Sequence, residues 1–272
     1  MNIDKIQKVH LTEEKLTLLI TLYAKAFDSQ SKNSILKDTK ANEIIETIDY
    51  DFTDMSKFGN GNIIVVRAKQ FDDWVKEFLE NHSNVIVLNL GCGLDTRIER
   101  INPSPNVNWY DVDYPEVIQL RKHFFSDKEG YHMIAASIID SKLINNFPSE
   151  GDVLVIADGV FEYLTKGDVQ ILLNQITNHF SHGQIMFDAI NSFAIESAKS
   201  DLKKKMSAEH KWAVEDLHEV DTLNPKLKRI SNMTIWQSKY INKLPFKYRL
   251  VYRGMSVNSK FKNMIRLLRY DF

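Results

Sequence analysis

The chain has one cysteine among 272 residues. That excludes an internal disulfide and a cysteine-only zinc site, and it suits a reducing cytosol. The eight histidines show no metal-ligand spacing, and no H-x-x-x-H occurs. With 10 glycines and 6 prolines there is no Gly/Pro/Ser linker, and no internal repeat or low-complexity tract is visible. No apolar run approaches the roughly 18 residues of a membrane span. MNIDKIQKVHLTEEK has no apolar signal core behind a basic start. A net charge of -1 removes the case for a dedicated nucleic-acid surface. The expectations are a cytoplasmic protein with no membrane or nucleic-acid partner; nothing assigns an oligomeric state. Hydrophobic residues make up 43% and charged residues 26%, enough for a full core in a single domain over 1–272.

What is present centres on VIVLNLGCGLDTRIERINPSPNVNWYDVDY, residues 85–114. Val85–Leu88 and Leu90 form the apolar run of a strand buried on both faces. Gly91-Cys92-Gly93 breaks it, allowing a sharp turn and close approach of a ligand to the main chain. Val107–Tyr110 reads as the next strand, ending in Asp111-Val112-Asp113. Glycines after one strand and an acid at the end of the next are how open α/β sheets hold a nucleoside. A dinucleotide would want a third glycine where Thr96 stands, and its pyrophosphate would meet Asp95. S-adenosylmethionine carries a sulfonium cation and no phosphate, so nearby acids suit it better than they suit NAD. Cys92, between the glycines, reads as packing rather than as a nucleophile.

Upstream, residues 11–27 place Leu16, Leu19, Ile20, Tyr23 and Phe27 at helical spacing, with Thr12 as N-cap. A second helix is expected over 38–48 and a third over 63–80. These 80 residues are read as a helical cap over the mouth of the site. Downstream, helix 116–125, strand 133–136, strand 152–157, helix 165–180 with a Thr165/Asp168 capping box, and strand 184–189 alternate. Such alternation means an α/β fold with a mostly parallel sheet. Residues 191–223 are expected to be a helical, lid-like insertion, with Lys203-Lys204-Lys205 on a solvated face. A sixth strand (227–236), a helix (246–255) and a last strand (265–272) complete the pattern.

The runs LNLGCGLDTR, WYDVDYPEVIQLRKHFF (109–125) and ADGVFEYLT (157–165), in this order and spacing, resemble the leucine carboxyl methyltransferase family, on the bacterial side that includes tetracenomycin-type polyketide O-methyltransferases. Lys25 with Asp38, Arg67 with Asp72, and KWAVEDLHEVDTLNP (211–225) are weaker matches. The resemblance implies a seven-stranded Rossmann-like class I methyltransferase sheet with an antiparallel last strand, and S-adenosylmethionine as cofactor. It places Gly91 and Gly93 under the methionine part and Asp113 on the ribose hydroxyls. Asp158 stands where relatives carry a glutamate, facing the sulfonium and amino end. Lys25 and Arg67 match positions that pair with the methionine carboxylate. Ser137-Ile138 stands where relatives show Asp-Leu near the adenine.

Several residues have an alternative reading. Asp111 could exchange roles with Asp113, which is preferred. Arg67 could be a surface residue paired with Asp72 or Glu77. Arg97 could steer an anionic acceptor or brace the helix after the glycine loop. Glu162 and Tyr163 are expected in the acceptor pocket, with Glu162 as the one nameable base; its alternative is a solvent-facing turn residue. Methyl transfer from a sulfonium mainly requires alignment and exclusion of water. A carboxylate acceptor, with pKa near roughly 4, is ionised at neutral pH, whereas a phenol near roughly 10 needs a base. The leading expectation is an O-methyltransferase acting on a carboxylate or phenol of a small molecule. The alternatives are a protein C-terminal carboxyl methyltransferase and a non-catalytic S-adenosylmethionine-binding protein.

Overall fold

The computed structural model describes residues 7–8, 17–53, 61–197 and 209–272. Seven strands form one sheet: β1 (Val85–Leu90), β2 (Val107–Asp113), β3 (Tyr131–Ala135), β4 (Asp152–Ala157), β5 (Gly183–Ile190), β6 (Lys228–Thr234) and β7 (Ile265–Asp271). Their order is β3-β2-β1-β4-β5-β7-β6. The first five strands pair in parallel, and β7 runs antiparallel between β5 and β6.

Every residue of β1 is buried. Val85 and Val87 enter one apolar layer, while Ile86, Leu88 and Leu90 enter the other. This two-residue alternation makes both faces of a parallel strand apolar. The first layer is closed by α1 (Thr17–Ser29), α2 (Thr39–Thr47) and α3 (Gly61–Asn81), whose Leu19, Leu22, Ile44, Phe71 and Val75 are sealed from solvent. The short helices α4 (Arg97–Ile101) and α5 (Pro115–Arg121) follow β1 and β2. The second layer is closed by α6 (Lys166–His179). There Thr165 accepts from the Asp168 amide and Asp168 from the Thr165 amide, the expected reciprocal cap. Asp38 caps α2 by accepting from the Ala41 amide.

Chain direction across the sheet reverses between β1 and β4, where successive crossovers leave on opposite sides. A crevice opens there outside the carboxyl ends of the strands, the place where such sheets bind ligands. Gly91 follows β1 and Asp158 follows β4, so both stand at this crevice.

Three expectations about elements are corrected or fall elsewhere. Residues 191–223 are not a helical insertion throughout: 192–197 are helical, 209–216 contain no helix, and α7 (His218–Asp221) is a single turn. Trp212, Val214, Leu217 and Val220 of this segment are buried against the second layer, which holds the backbone by side-chain burial instead of helical hydrogen bonding. Strand β6 stops at Thr234, whose side chain and Gln237 form a reciprocal cap that turns the chain into a short 3-10 segment. The Lys203–Lys205 run and residues 11–16 lie outside the described residues.

Candidate functional site

Gly91 and Gly93 both adopt positive φ, +61° and +50°. A Cβ on Gly91 would stand 2.7 Å from Val160 Cγ2, so both the backbone angle and the space require glycine. The Gly93 amide donates to Asp113 Oδ2 at 2.7 Å, and the Tyr114 amide donates to Asp113 Oδ1 at 2.7 Å. Burial pushes the Asp113 carboxyl up to about 6, against the pull of these two amides. Asp111 is enclosed instead. It accepts from Asn89, Trp109, Arg121 and Tyr131, and none of it is exposed. Arg121 also donates to the carbonyls of Gly93 (3.1 Å) and Asp95 (2.7 Å), so Asp111 anchors the arginine that braces the glycine loop. Asp113 is the acid left at the cavity wall.

A cavity of about 200 Å³ lies against this loop, lined by Lys25, Arg67, Gly91, Gly93, Asp95, Arg97, Asp113, Ile138 and Asp158 among others. Its floor is a network of four cations and five aspartates. Lys25 meets Asp95 at 2.6 Å. Arg97 meets Asp72, Asp95 and Asp158 at 2.9, 2.8 and 2.7 Å. Arg100 meets Asp38 and Asp72 at 2.7 Å, and Asp95 at 3.2 Å. Arg67 joins Asp158 and Asp188, each at 2.7 Å. Burial disfavours the charged forms; the partners outweigh it at Asp95, Asp158, Arg67, Arg97 and Arg100, whereas at Asp188 burial prevails and its carboxyl is raised. Asp95 is held well below the carboxylate range by Arg97, Lys25 and Arg100, and the Arg97 pKa is raised by Asp95, Asp158 and Asp72. The Arg67–Asp158 and Arg97–Asp95 contacts are not aligned as hydrogen bonds. Arg67 Nε, Asp158 Oδ1, Arg97 Nη1 and Asp95 Oδ2 therefore keep unused bonding capacity beside the cavity. A zwitterionic amino-acid end on a sulfonium fits a wall of this kind, where buried donors and acceptors alternate.

This geometry corrects several expectations. Arg97 is fully buried and braces the loop through Asp72, Asp95 and Asp158, as the second of its two readings had it. Arg67 does not pair with Asp72 or Glu77, because it reaches across to Asp158 after β4 and Asp188 on β5. Asp95 is not a bare acid in the loop; three cations surround it. Ile138 lines the cavity and Ser137 does not.

A second, larger cavity of about 450 Å³ shares Thr17, Thr21, Ile64, Arg67, Gly159 and Tyr163 with the first. Its wall is apolar and aromatic: Ile20, Ile63, Phe193, Trp236, Tyr252, Met255 and Phe261. Trp236 stacks on Phe261 with ring centroids 4.7 Å apart. Tyr163 stands at the junction and stacks on His210 at 5.1 Å, and Glu162 beside it lines the second cavity. Glu162 is not solvent-facing: its side chain is 10% exposed. Oε1 lies 4.0 Å from His210 Nε2, and the buried Oε2 has no hydrogen-bond partner. Burial, then the charges of Asp188 and Asp158, push the Glu162 carboxyl up to about 8 against the pull of Arg67. Burial lowers the His210 pKa, which favours the neutral ring.

Sequence reading missed Asp188, His210 and the aromatic wall. Asp188 left a signal, a carboxylate inside the apolar strand QIMFDA, where only a paired charge is tolerable. His210 and the aromatics left none, since they converge from distant loops and helices.

The model of the leucine carboxyl methyltransferase family matches residues 17–177. The chain is 32% identical over 268 residues to the tetracenomycin polyketide synthesis O-methyltransferase TcmP of Streptomyces glaucescens, covering 98% of this chain and 99% of that one. It is also 32% identical over 253 residues to the S-adenosyl-L-methionine-dependent methyltransferase dpfgK of Gibberella zeae, covering 84% of each chain. A crystal structure described as a methyltransferase from Thermobifida fusca YX superposes with a TM-score of 0.59 at 13% identity, covering 91% of this chain and 93% of that one, a likeness of fold. Glycine loop, sheet order and full-length similarity agree, and the chain belongs to the leucine carboxyl methyltransferase family.

Proposed function

We propose that this S-adenosylmethionine-dependent methyltransferase methylates a carboxylate oxygen of a flat, largely apolar small molecule held in the aromatic cavity. The observation that carries this reading is Glu162, a buried carboxyl with an unpartnered oxygen, lining the second cavity next to Tyr163, which lines both, and raised to about 8. At neutral pH such a group is mostly protonated and is a hydrogen-bond donor, as an acid kept neutral by an apolar site can be. Its proton, held at Oε2, would anchor one oxygen of an acceptor carboxylate and leave the other free to attack.

Bound S-adenosylmethionine supplies a methyl group already activated on a sulfonium. The chain's own groups do the rest. Asp113 offers its carboxylate to the ribose hydroxyls, and Gly91 and Gly93 let the main chain approach. Lys25 and Arg67 supply positive charge toward the methionine carboxylate, and Asp158 faces the amino and sulfonium end. Ile138 packs toward the adenine, with Ser137 behind it. Tyr163 and the aromatic wall exclude water and orient the acceptor for in-line attack. Phe193, Ala194, Ser197 and His210 border the second cavity, as a lid over the acceptor would.

The pH dependence separates carboxylate from hydroxyl acceptors. With a carboxylate acceptor, Glu162 is needed protonated, so kcat/KM falls as pH rises through about 8. With a phenol, Glu162 is needed ionised as a base, and the rate rises over the same window. Glu162→Gln keeps a donor. Methyl transfer to an aromatic carboxylic acid that survives in Glu162→Gln and loses its alkaline fall supports the proposal; loss of transfer with a rising wild-type profile overturns it in favour of a hydroxyl.

A further inference from the structure

The 36 acidic residues are unevenly placed. From Thr222 to Tyr270 there is no Asp or Glu, while 12 Lys and Arg residues occur. Some of these cations are used internally: Arg229 pairs with Asp221, Lys239 with Asp73 and Arg269 with Glu77. Among the described residues, Lys247, Arg249 and Arg253 are in no ion pair. All three belong to α8 (Phe246–Met255).

This helix exposes the wrong kind of side chain for a water-facing surface. Phe246 is 70% exposed, Leu250 61% and Val251 52%, and Val257 just beyond is 87% exposed. At 3.6 residues per turn Phe246, Leu250 and Gly254 share one outward line. Nothing approaches Gly254 within 4 Å of where a Cβ would lie. Lys247 and Val251 flank the line on one side, Arg249 and Arg253 on the other. The opposite face carries Tyr252, which with Met255 lines the aromatic cavity.

We propose that α8 is an interfacial helix that seats this face of the protein on an anionic lipid surface. The stripe of bulky apolar side chains would enter the headgroup region, and the flanking cations would meet lipid phosphates, the combination that holds amphipathic helices in an interface. An acidic protein or nucleic acid would use the cations and leave the apolar stripe in water. No helix among the described residues is long and apolar enough to cross a membrane, so the seat is peripheral. It runs against the expectation of no membrane partner, which rested only on the lack of a spanning run. Since α8 also walls the second cavity, an apolar acceptor could pass from lipid to protein along one helix. That consequence rests on the proposed acceptor chemistry; the lipid seat does not.

Flotation of the full chain with phosphatidylcholine vesicles, with and without phosphatidylglycerol, tests this. The expected result is a gain on the order of a hundredfold in partition on adding the anionic lipid, from three surface cations, and its loss at high salt. Phe246→Glu and Leu250→Glu should abolish flotation while S-adenosylhomocysteine binding by calorimetry stays unchanged, which shows the fold intact. No partition into anionic vesicles overturns the proposal, as does unchanged partition in both variants. A lipid-free dimer by light scattering that Leu250→Glu dissolves would assign the stripe to a second copy and overturn it as well.

Discussion

The two adjoining cavities are built on opposite principles. The first is floored by ions, each cation and each aspartate compensated within 2.6–3.2 Å. The second is walled by rings and aliphatic groups, with one acid whose oxygen has no hydrogen-bond partner. Fixed dipoles and ion pairs are expensive to rearrange, so the first cavity is prepared for one ligand of constant shape. An apolar wall binds by area and shape, tolerates variation and leaves selectivity to a few polar atoms. A methyltransferase needs both: a site for the methyl donor and a site for the acceptor.

If the ionic floor is preorganised, its breakage should be costly even without ligand. Arg97→Met leaves Asp72, Asp95 and Asp158 short of a partner, and a loss of about 3–5 kcal/mol of stability is expected by chemical denaturation. A loss near zero would show that the network adjusts as freely as the apolar wall. Asp113→Ala should weaken S-adenosylhomocysteine binding by roughly 10–100-fold in calorimetry, the worth of hydrogen bonds to a charged group. Because burial raises Asp113 to about 6, its carboxylate forms fully only above that value. Cofactor affinity should therefore fall as pH drops through about 6, and Asp113→Asn should flatten the dependence. The sign for stability is opposite: the raised carboxyl favours the folded, ligand-free protein at low pH, and that contribution is lost as pH rises through about 6. The smallest effect sharpens the comparison from the other side. Trp236→Leu should raise acceptor KM by about tenfold, one lost ring contact, with cofactor affinity unchanged; equal changes in both would mean that the cavities are not separable.

The first cavity was far more legible in the sequence than the second. Gly91-Cys92-Gly93 and Asp158 lie directly after strands and Asp113 ends one, and a strand end in a parallel sheet has a known address. Ion-pair partners were not legible. Lys25, Arg67 and Arg97 were visible as residues, but their partners Asp95, Asp158 and Asp188 lie on loops and strands up to 121 positions away. The second cavity was nearly invisible. Trp236, Tyr252 and Phe261 sit in segments whose patterns describe their own helices and turns, and nothing local announces that the three rings meet.

Period-two apolar runs, glycines at the crevice and acids closing the strands determined the sheet, its switch point and a nucleoside site, because these features depend on each residue's own backbone and near neighbours. Tertiary structure decided which charges neutralise one another, that Glu162 is buried with an unpartnered oxygen, and that α8 turns an apolar stripe outward. These are relations between segments far apart in the chain. Burial and Coulomb energy act through space, so they take their values only once the chain has closed on itself.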